Sequence, residues 1–587
     1  MGTITANSIT INSTSGIGYG PFSNNKNITS VDLGYANWTN NSMYEAFIGC
    51  YKLTEITNIN QNITNMASTF AYCNNLVNAP VIPNSVTIMG STFFQCYNLA
   101  NAPVIPNSVT NMASTFTYCY SLVNAPSIPS SVNTMNSTFA YCNNLVNAPD
   151  IPNSVTSLVY TFLNCINCTG NIYIHSHYIL NAYMFFGNTS IPKNVYIPYN
   201  QSLGIYTQTY NSFNNAGYNP STTQHGVTIK ENPYFEKTGD WWWDSYYNII
   251  YMYFGSSSNI VVPNVINGHN ISELDLDSFN VPKTITSIDF GNIIVSGSMY
   301  NKFNGYEQLQ SVTNLNTDSI ITNMSSTFYD CTSLVNAPVI PNSVTNMSAT
   351  FYNCISLINA PSISSTNVSN MANTFKYCRS LVNAPDIPNS VTNMANTFSH
   401  CNSLVNAPDI PNSVTNMYWT FSHCYSLVNA PAIPNSVTEM YATFEYCNNL
   451  VNAPVIPSSV NLLSYAFTNC YSLVNAPENI PDSVASMYET FTNCNNLVNG
   501  PLIIGSNVTY MYRTFYNCQN LTGNIYIKSN KISNVLDCFA GTTNTKNIYI
   551  PFTYPNGVNT VTYNTFKSRY GSGQNGVTLV NYTELYS

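Results

Sequence analysis

Cysteine recurs along this chain at a fixed interval, and that interval limits the possible fold more than any other feature. The first run of evenly spaced cysteines is Cys50, Cys73, Cys96, Cys119, Cys142 and Cys165, each 23 residues from the next. The second run is Cys331, Cys354, Cys378, Cys401, Cys424, Cys447, Cys470, Cys494 and Cys518, with spacings of 23 or 24. A constant period of this length is typical of stacked supersecondary units that bury their apolar faces against their neighbours. The sequence therefore predicts a solenoid.

One coil is predicted to combine a short extended segment with a short turn of helix. Leu76 and Ile82 are spaced as the edge of a strand, and the prolines beside them are incompatible with a regular interior strand. Val86, Met89 and Phe93 then recur at three- or four-residue intervals, the spacing of a helical turn. One strand and one short helix per coil is the layout of a leucine-rich repeat. The predicted fold class is an α/β repeat solenoid, built of tandem leucine-rich-repeat arrays with 23–24 residues per coil.

The cysteines are predicted to be reduced and buried. Fifteen of the seventeen occupy one slot of the repeat, Thr-Phe-x-x-Cys-x-x-Leu or a close variant, in which the apolar residues face the interior. Disulfides between neighbouring coils are the alternative. Cys165 and Cys168 look like a CxxC redox or metal half-site, but Cys168 corresponds to Leu521 of the second array. Cys538 corresponds to Phe185 in the same way, so both odd cysteines are expected in the core.

The whole chain is predicted to be a tandem duplication of array plus cap. Segments beginning at Thr169 and Lys193 follow the first array, and near-identical segments beginning at Thr522 and Lys546 follow the second. Their alternating apolar residues predict a β-rich C-terminal cap that covers the open end of each solenoid. The predicted divisions are an N-terminal cap at 1–46, a first array at 47–168, a first cap at 169–236, an aromatic linker and second N-cap at 237–302, a second array at 303–521 and a second cap at 522–587.

Composition argues against several kinds of partner. Only 7% of residues are charged and the net charge is −9, without any dense basic run, which argues against nucleic acid. No apolar stretch approaches the roughly 18 residues that a transmembrane helix needs, so membrane insertion is not expected. The N-terminal residues show neither the basic segment nor the apolar core of a signal peptide. We expect either that a signal was removed or that the protein leaves its cell by another route.

One asparagine of the repeat is predicted to form a buried amide ladder that satisfies backbone groups of the loops. This is a structural role and not a ligand site. The copies of this residue are Asn78, Asn101, Asn124, Asn147, Asn336, Asn383 and Asn406.

The repeat phrase resembles a known family. Cys-x-x-Leu, then Ile-Pro-x-Ser-Val-Thr-x-Met, then Thr-Phe-x-x-Cys resembles the BspA-like leucine-rich repeats of bacterial and protozoan surface proteins, and Val-Thr-Asn-Met-x-x-Thr-Phe is similar to a Mycoplasma surface-lipoprotein repeat. Repeats of this kind also occur in phage-encoded fibres. The resemblance implies adhesion or partner binding and brings no catalytic residues with it. The proline of Ala-Pro and the very low charge depart from the usual pattern.

The candidate binding surface consists of positions that vary while the frame of the repeat stays fixed. Large rings recur between Phe and Cys and on the helix side of the coil, and they would form rows if coils stack at about 4.8 Å. Such rows suit sugar rings, whose apolar faces stack on aromatic side chains while their hydroxyls meet amides. The alternative is that the rings only pack coil on coil. The candidates in the arrays are Tyr72, Tyr118, Tyr141, Tyr377, His400, His423, Tyr446, Tyr418, Trp419, Tyr441 and Tyr488.

The densest aromatic cluster lies between the two arrays. Trp241, Trp242 and Trp243 stand close to several tyrosines at the point where the first cap ends and the second array begins. One interpretation is that they join the two solenoids and fix their angle. The other is that they anchor a partner or a glycan, and all three are therefore candidate ligand-binding residues.

The sequence predicts neither catalysis nor metal binding. Asp386 and Asp409 fall on adjacent coils, with backbones roughly 5 Å apart if strands stack directly, but no distinctive general acid lies nearby. The pair His400 and His423, and the motif His175-Ser-His177, could bind a metal, although isolated histidine pairs rarely do. We expect no catalytic residues, no metal and no cofactor.

The sequence therefore favours a non-catalytic protein that contacts a host or cell-surface protein or glycan. The leading hypothesis is a virion-exposed fibre or appendage component, which would also contact other virion proteins. The alternatives are a secreted or cell-surface adhesin and an inert structural spacer. The expected location is a virion or an extracellular surface.

Overall fold

The computed structural model describes residues 2–5, 10–11, 20–34, 36–189, 191–218, 220, 225–277, 279–553 and 558–582. Over these residues the chain winds into a β-solenoid of about 21 coils, which confirms the predicted fold class. The chain divides into two compact units, unit 1 at Met1–Glu236 and unit 2 at Lys237–Ser587. The N-terminal cap predicted at 1–46 includes residues 1, 6–9, 12–19 and 35, which lie outside the described residues.

Regular elements are confined to the two ends of each unit. Unit 1 contains β1 (Gly2–Thr5), β2 (Thr10–Ile11), β3 (Ile28–Asp32), β4 (Asn37–Trp38), a 3₁₀ turn (Thr39–Asn41), β5 (Glu55–Thr57), β6 (Ile172–Tyr173), β7 (Lys193–Ile197), β8 (Tyr199–Asn200), β9 (Ile205–Tyr206), α1 (Gln208–Asn215) and β10 (Val227–Glu231).

Unit 2 begins and ends in the same manner. Its elements are β11 (Phe235–Thr238), β12 (Trp241–Asp244), β13 (Ile249–Tyr253), β14 (Asn259–Val261), β15 (Val265–Ile266), β16 (His269–Asn270), β17 (Glu273–Asp275), β18 (Ser287–Asp289), β19 (Ile294–Ser296), β20 (Ser311–Thr313), β21 (Asn479–Ile480), β22 (Ile503–Ile504), β23 (Gly523–Ile527), β24 (Lys546–Ile550), α2 (Val561–Tyr570), a 3₁₀ turn (Gln574–Gly576) and β25 (Val577–Asn581).

Each unit ends in a parallel sheet with one helix. In unit 1 the strand order is β10-β7-β6, and in unit 2 it is β21-β22-β23-β24-β25. The hydroxyl of Thr560 caps α2 by accepting a hydrogen bond from the backbone N–H of Tyr563, and Thr207 does the same for Tyr210 in α1. None of the helices in the described part of the chain has the length and apolar character needed to cross a bilayer.

The coils of the arrays contain turns where a short helix was expected, and this part of the prediction was wrong. Between Met394 and Cys401 the chain makes two tight turns, with backbone hydrogen bonds from Thr397 N to Met394 O and from Cys401 N to Phe398 O. Neighbouring coils are joined by single parallel bridges such as Asn383 to Asn406. Recurrence at three or four residues fits both a helical turn and a pair of tight turns, so the spacing alone misled the prediction.

The core is a set of identical side chains stacked along the solenoid. The repeated Leu, Val, Met, Phe and Cys residues are fully buried in nearly every coil. Phe375, Phe398 and Phe421 show the pattern, because successive rings lie 5.6 Å apart and within 6° of parallel. Offset stacks of this kind add to the free energy gained by burying the rings. We call this series the Phe ladder.

Buried hydroxyl and thiol groups join one coil to the next. The hydroxyl of Thr397 donates to the carbonyl oxygens of Met371, 2.9 Å away on the preceding coil, and of Met394, 2.8 Å away on its own. The thiol of Cys401 donates to the carbonyl oxygen of Phe375 at 3.1 Å. Each of these carbonyl oxygens already accepts a backbone N–H within its own turn, so the side chains occupy a second lone pair and satisfy their own buried donors.

All seventeen cysteines are free and buried, Cys168 and Cys538 included, as expected from the sequence. Burial raises the pKa of the Cys96 thiol to about 12, and it raises the pKa of the Cys401 thiol well above its ordinary value. Burial in an apolar interior disfavours the thiolate, which is the reactive form of cysteine. The arrays therefore hold their thiols in an unreactive state.

The asparagine ladder forms, but on the outside of the coil. The amide of Asn101 donates to the side-chain oxygen of Asn78 at 2.6 Å, and Asn383 donates to Asn359 at 2.9 Å. Every asparagine predicted for a buried ladder is exposed. The backbone of this segment is already paired through the parallel bridges, so the amides need only pair with one another.

We predict that the native protein resists thiol reagents. With Ellman's reagent, none of the thiols should react within minutes in buffer, because each is buried and its thiolate is disfavoured. After denaturation without reductant, all 17 should react. Fast modification of the native protein, or fewer than 17 reactive thiols after denaturation, would contradict the reduced, buried arrangement.

Candidate functional site

The residue directly before the repeat cysteine has a left-handed backbone in every array coil, and we call this series the His column. Its members are Gly49, Tyr72, Gln95, Tyr118, Tyr141, Asn164, Asp330, Asn353, Tyr377, His400, His423, Tyr446, Asn469, Asn493 and Asn517. Asparagine and aspartate adopt this conformation more readily than other side chains, whereas a bulky residue in it is an outlier. Asparagine therefore meets the needs of the fold, and large rings in this column need another explanation.

Four consecutive rings of the His column form one continuous stack in unit 2. The centroids of Tyr377 and His400 lie 4.5 Å apart, those of His400 and His423 lie 4.1 Å apart, and those of His423 and Tyr446 lie 4.4 Å apart. All three pairs are within 26° of parallel. Further along the same column an amide takes over, because Asn493 donates to Asn469 at 2.8 Å. The column therefore carries a ring stack in some coils and an amide ladder in others.

A second left-handed series lies four residues earlier, and we call it the Trp column. Its members are Glu45, Ser68, Ser91, Ser114, Ser137, Tyr160, Ser326, Ala349, Asn373, Asn396, Trp419, Ala442, Tyr465, Glu489 and Arg513. Trp419 has a φ of 49° and is 36% exposed. A left-handed conformation costs a residue with a large side chain on the order of 1–2 kcal/mol. Serine or asparagine elsewhere in the column shows that the fold does not require an indole here.

Tyrosines beside the Trp column extend the aromatic surface. Tyr418 stacks on Tyr441 with centroids 5.1 Å apart, and the edge of Trp419 meets Tyr441 at the same distance. Tyr488 lies 5.0 Å from both Tyr465 and Tyr512. These candidates are therefore brought together as one surface along unit 2.

Unit 1 carries a shorter row. Tyr118 and Tyr141 stack at 4.4 Å, but Gln95 separates them from Tyr72 within the His column. Tyr72 is exposed and meets Phe94 edge-on at 5.5 Å. The longest unbroken stack of His-column rings therefore lies in unit 2.

The three consecutive tryptophans do not share one environment. Trp242 and Trp243 are fully buried, and Trp243 belongs to the core of unit 2, so neither indole is available to a ligand. Two consecutive residues of their strand, β12, can both be buried because the register of β12 against β13 shifts between them. Trp241 is half-buried and lies 4.9 Å from Tyr253. Of the three, only Trp241 remains a candidate for ligand contact, and a role of the cluster as a joint between modules stays a prediction.

A shallow depression of about 250 Å³ lies between the two columns in unit 2. Four coils contribute to it, and its lining residues are Lys376, Asn396, Ser399, His400, Trp419, Ser422, His423 and Glu445. Three of these side chains were among the sequence candidates. Lys376 and Glu445 were not, although both are charged residues in a column otherwise filled by Ala, Ser, Thr, Leu and aromatic residues. That departure from the repeat was the signal that could have found them.

Polar groups in the depression hold one another in place. The ammonium of Lys376 donates to the side-chain oxygen of Asn396 at 3.1 Å. The hydroxyl of Ser422 lies 2.8 Å from Nδ1 of His423 and donates to Oε2 of Glu445 at 3.4 Å. These contacts orient donors and acceptors toward the same small volume. Hydrogen-bonding groups gathered beside an exposed aromatic ring are typical of a ligand site.

Both imidazoles of the stack are held neutral. Burial lowers the pKa of His400 to about 4, with further contributions from His423, Lys376 and Arg379. Burial also lowers the pKa of His423. A neutral imidazole has one donor and one acceptor nitrogen and can stack without repelling its neighbour. The stack is therefore suited to neutral pH.

The other histidines and aspartates with a possible chemical role lie apart from this site. His175 and His177 are buried in the first cap, and Asp386 and Asp409 are exposed on adjacent coils. Across the described parts of the chain, no group of three or more His, Cys, Asp or Glu side chains is placed to hold a metal ion.

Comparison of the sequence with protein families gives two matches. The family described as BspA type leucine rich repeat region (6 copies) matches residues 1–123, 113–238, 369–498 and 478–572, which is more than half of the chain. The family described as Mycoplasma protein of unknown function matches residues 297–408. Both resemblances predicted from the repeat phrase are thus confirmed. No curated protein matches the chain in sequence.

Solved structures with similar folds include several bacterial repeat proteins. A leucine rich cell surface protein from Faecalibacterium prausnitzii is 21% identical, with 54% of this chain and 95% of that chain covered and a TM-score of 0.31. A leucine-rich repeat protein from Bacteroides ovatus is 19% identical, with 68% and 86% covered and a TM-score of 0.21. The leucine rich repeat protein of T. pallidum is 19% identical, with 46% and 90% covered and a TM-score of 0.20.

Acidification is expected to destabilise unit 2 through His400. The unfolded chain takes up a proton as the pH falls below about 6.5, whereas folded His400 does so only near pH 4. The destabilisation by His400 is absent above about pH 6.5 and increases progressively as the pH falls from about 6.5 to about 4. Because the imidazole is partly solvated, the loss should be at most about 1–2 kcal/mol. Urea unfolding followed by circular dichroism at about pH 7.5 and 5.5 measures it.

The matched variant is His400→Asn, which places the residue of other coils at this left-handed position. Its stability should fall less between the two pH values than that of the wild type. Burial raises the pKa of Glu445, which acts in the opposite direction, but that residue is present in both proteins. Equal losses in the two proteins would contradict the role assigned to His400.

Proposed function

The chain belongs to the BspA type leucine-rich-repeat family, and on that premise we propose that it is a non-catalytic binding protein displayed on a surface, where it contacts a glycan or a protein receptor. Repeat proteins of this family are typically non-enzymatic and found at the cell surface or outside the cell. An extended stack of coils presents side chains at regular spacing, which suits recognition along a surface.

One observation supports the proposal above the others. In the His column of unit 2, Tyr377, His400, His423 and Tyr446 replace the asparagine that serves the backbone in neighbouring coils. The Trp column shows the same departure at Trp419. Bulky rings in left-handed positions reduce stability, and residues that reduce stability without a structural need are concentrated at functional sites.

The chemistry of this surface favours carbohydrate. Aromatic rings offer apolar faces to a sugar ring, and the amides and hydroxyls beside them can bond to sugar hydroxyl groups. The low charge of the chain favours an uncharged partner over a strongly ionic one, because few ion pairs can form. A protein receptor with exposed apolar and amide groups is the second candidate.

Two kinds of display fit this function. One is a secreted or cell-surface adhesin, which the family membership favours. The other is a virion-exposed fibre or appendage that contacts a host cell. The resemblance to repeats in phage fibres suggests this alternative. An inert spacer, in which the rings only pack coil on coil, is the alternative to both.

We predict that replacing four rings by the residues found at those positions in other coils weakens binding without unfolding the chain. The variant combines Tyr418→Ala, Trp419→Ser, Tyr441→Ala and Tyr488→Ala, because alanine and serine occupy those positions in other coils. On an array of microbial and animal glycans, binding should fall at least about tenfold, as expected when aromatic anchors are removed. The melting temperature should change little.

A matched control removes apolar surface from another face. Val81, Val104 and Val455 are more than 80% exposed, and serine stands at the same repeat position in two other coils. The triple variant Val81→Ser, Val104→Ser and Val455→Ser should bind as the wild type does. A wild type that binds neither the array nor intact cells, or a four-ring variant that binds equally well, would favour the inert spacer.

The kind of display is predicted to be visible in native material. Density-gradient fractions followed by mass spectrometry should show this chain migrating with the cell envelope if it is an adhesin. Migration with particles that contain capsid or tail proteins would identify a virion component. A soluble pool without either would contradict display on a surface.

A further inference from the structure

We propose that the depression beside Trp419 is a subsite for a single uncharged pyranose ring. The inference rests on the proposed function, because it names the ligand class of one part of the same surface. It is carried by the position of Trp419 in the repeat, by the polar groups that converge beside it, and by the size and charge of the depression.

Trp419 departs from the frame at a cost to stability. It is the only tryptophan in the Trp column, and Ser, Ala or Asn stands there in most coils. Its φ of 49° is unfavourable for a large side chain, yet the indole stays 36% exposed and does not enter the Phe ladder. A ring placed in this way gains little from the core. It does offer a flat apolar face to a ligand.

The polar side chains around the indole come from four different coils. Lys376 is anchored by Asn396 at 3.1 Å and has further ammonium donors, since lysine carries three. Glu445 accepts one hydrogen bond from Ser422, and a carboxylate can accept several more. A donor and an acceptor beside a flat ring match a sugar, which presents hydroxyl groups around an apolar face.

The size and charge of the depression limit the ligand. Its volume of about 250 Å³ is below the roughly 300–1,000 Å³ of pockets for drug-sized molecules, so it accommodates one ring rather than an extended molecule. Lys376 and Glu445 contribute one charge of each sign, and the two imidazoles are neutral. The depression therefore offers no net charge to offset the desolvation of an ionised sugar, which favours an uncharged one.

The neighbouring rows place this subsite within a larger surface. The ring stack from Tyr377 to Tyr446 passes through His400 and His423, which line the depression. Trp419 contacts Tyr441, one of the tyrosines beside the Trp column. A glycan could therefore place one unit in the depression while its other units lie on the rings along the solenoid. The depression would then determine the specificity for one sugar unit, and the stacked rings on either side would add contact area.

The test is saturation-transfer NMR on the full chain with five separate probes. These are methyl β-D-glucoside, methyl β-D-galactoside, methyl α-D-mannoside, N-acetylglucosamine and the acidic N-acetylneuraminic acid. At least one uncharged probe should give a signal with the wild type, and N-acetylneuraminic acid should give none. With Trp419→Ser the dissociation constant should rise at least about tenfold, as for the loss of one aromatic contact.

Two further variants separate the subsite from general effects on folding. Tyr160→Ser makes the same kind of change in the Trp column of unit 1 and should leave the signal unchanged. Glu445→Gln keeps the shape of the side chain but weakens the acceptor, and it should reduce the affinity as well. Absence of a signal from every uncharged probe, or equal binding by Trp419→Ser, would overturn the subsite.

Glycan-array binding distinguishes this failure from failure of the proposed function. If Trp419→Ser binds the array normally while the four-ring variant does not, the surface binds glycans but the subsite is wrong. If no glycan or cell is bound and an uncharged probe still gives a Trp419-dependent signal, the subsite is supported and the proposed surface-binding function is wrong.

Discussion

Carbonyl groups that must be paired between coils determine this structure. A coil with two prolines and two tight turns cannot form a regular strand or helix, so much of its backbone needs partners elsewhere. Backbone bonds such as that from Phe375 N–H to the carbonyl oxygen of Thr397 provide them, and the side chains of Thr397 and Cys401 add bonds to carbonyl oxygens of the preceding coil. Both residues also lie inside, where threonine and cysteine are small enough to leave room for the Phe ladder. Nearly every array coil repeats the same solution, with Ala466 in place of the threonine as an exception, which explains why the period hardly varies.

The same turns create the positions on which function can be built. Each turn contains one left-handed residue, and asparagine or serine occupies at least one of the two such positions in most coils. The frame tolerates other side chains there, since their atoms point outward and the left-handed residues, such as His400 and Trp419, bond to the next coil through their backbone N–H groups. Trp419 and His423 could therefore be introduced without changing the core. Stability comes from the buried residues, and binding is assigned to outward residues that depart from the frame.

Much of the fold could be predicted from the sequence, because burial imposes a period on it. The cysteine slot, the Phe ladder and the core roles of Cys168 and Cys538 follow from which residues recur. The turns could not be predicted with the same method, since three-residue spacing of apolar residues suits a helix as well. The exposed position of Asn78 was missed because a repeated amide was assumed to serve buried backbone.

The candidate site was predictable only in part. Rings in rows were visible as substitutions in a constant frame, and the structure stacks His400 on His423 as adjacent coils require. The depression was not visible, because Lys376 and Glu445 lie 69 residues apart in sequence and line the same depression only through the stacking of four coils. The burial of Trp242 and Trp243 was missed as well, since consecutive tryptophans give no sign of which face each will take.

Bonding between successive coils also has a mechanical consequence. Because the partners of a coil are the coils on either side, pulling on the chain should release coils one at a time from an exposed end of a unit. Each release would free 23 or 24 residues, or roughly 80 Å of extended chain. A molecule that holds to a surface under flow would then lengthen in steps and dissipate force before its contacts break. The caps at the ends of each array would be the first structures to bear that load.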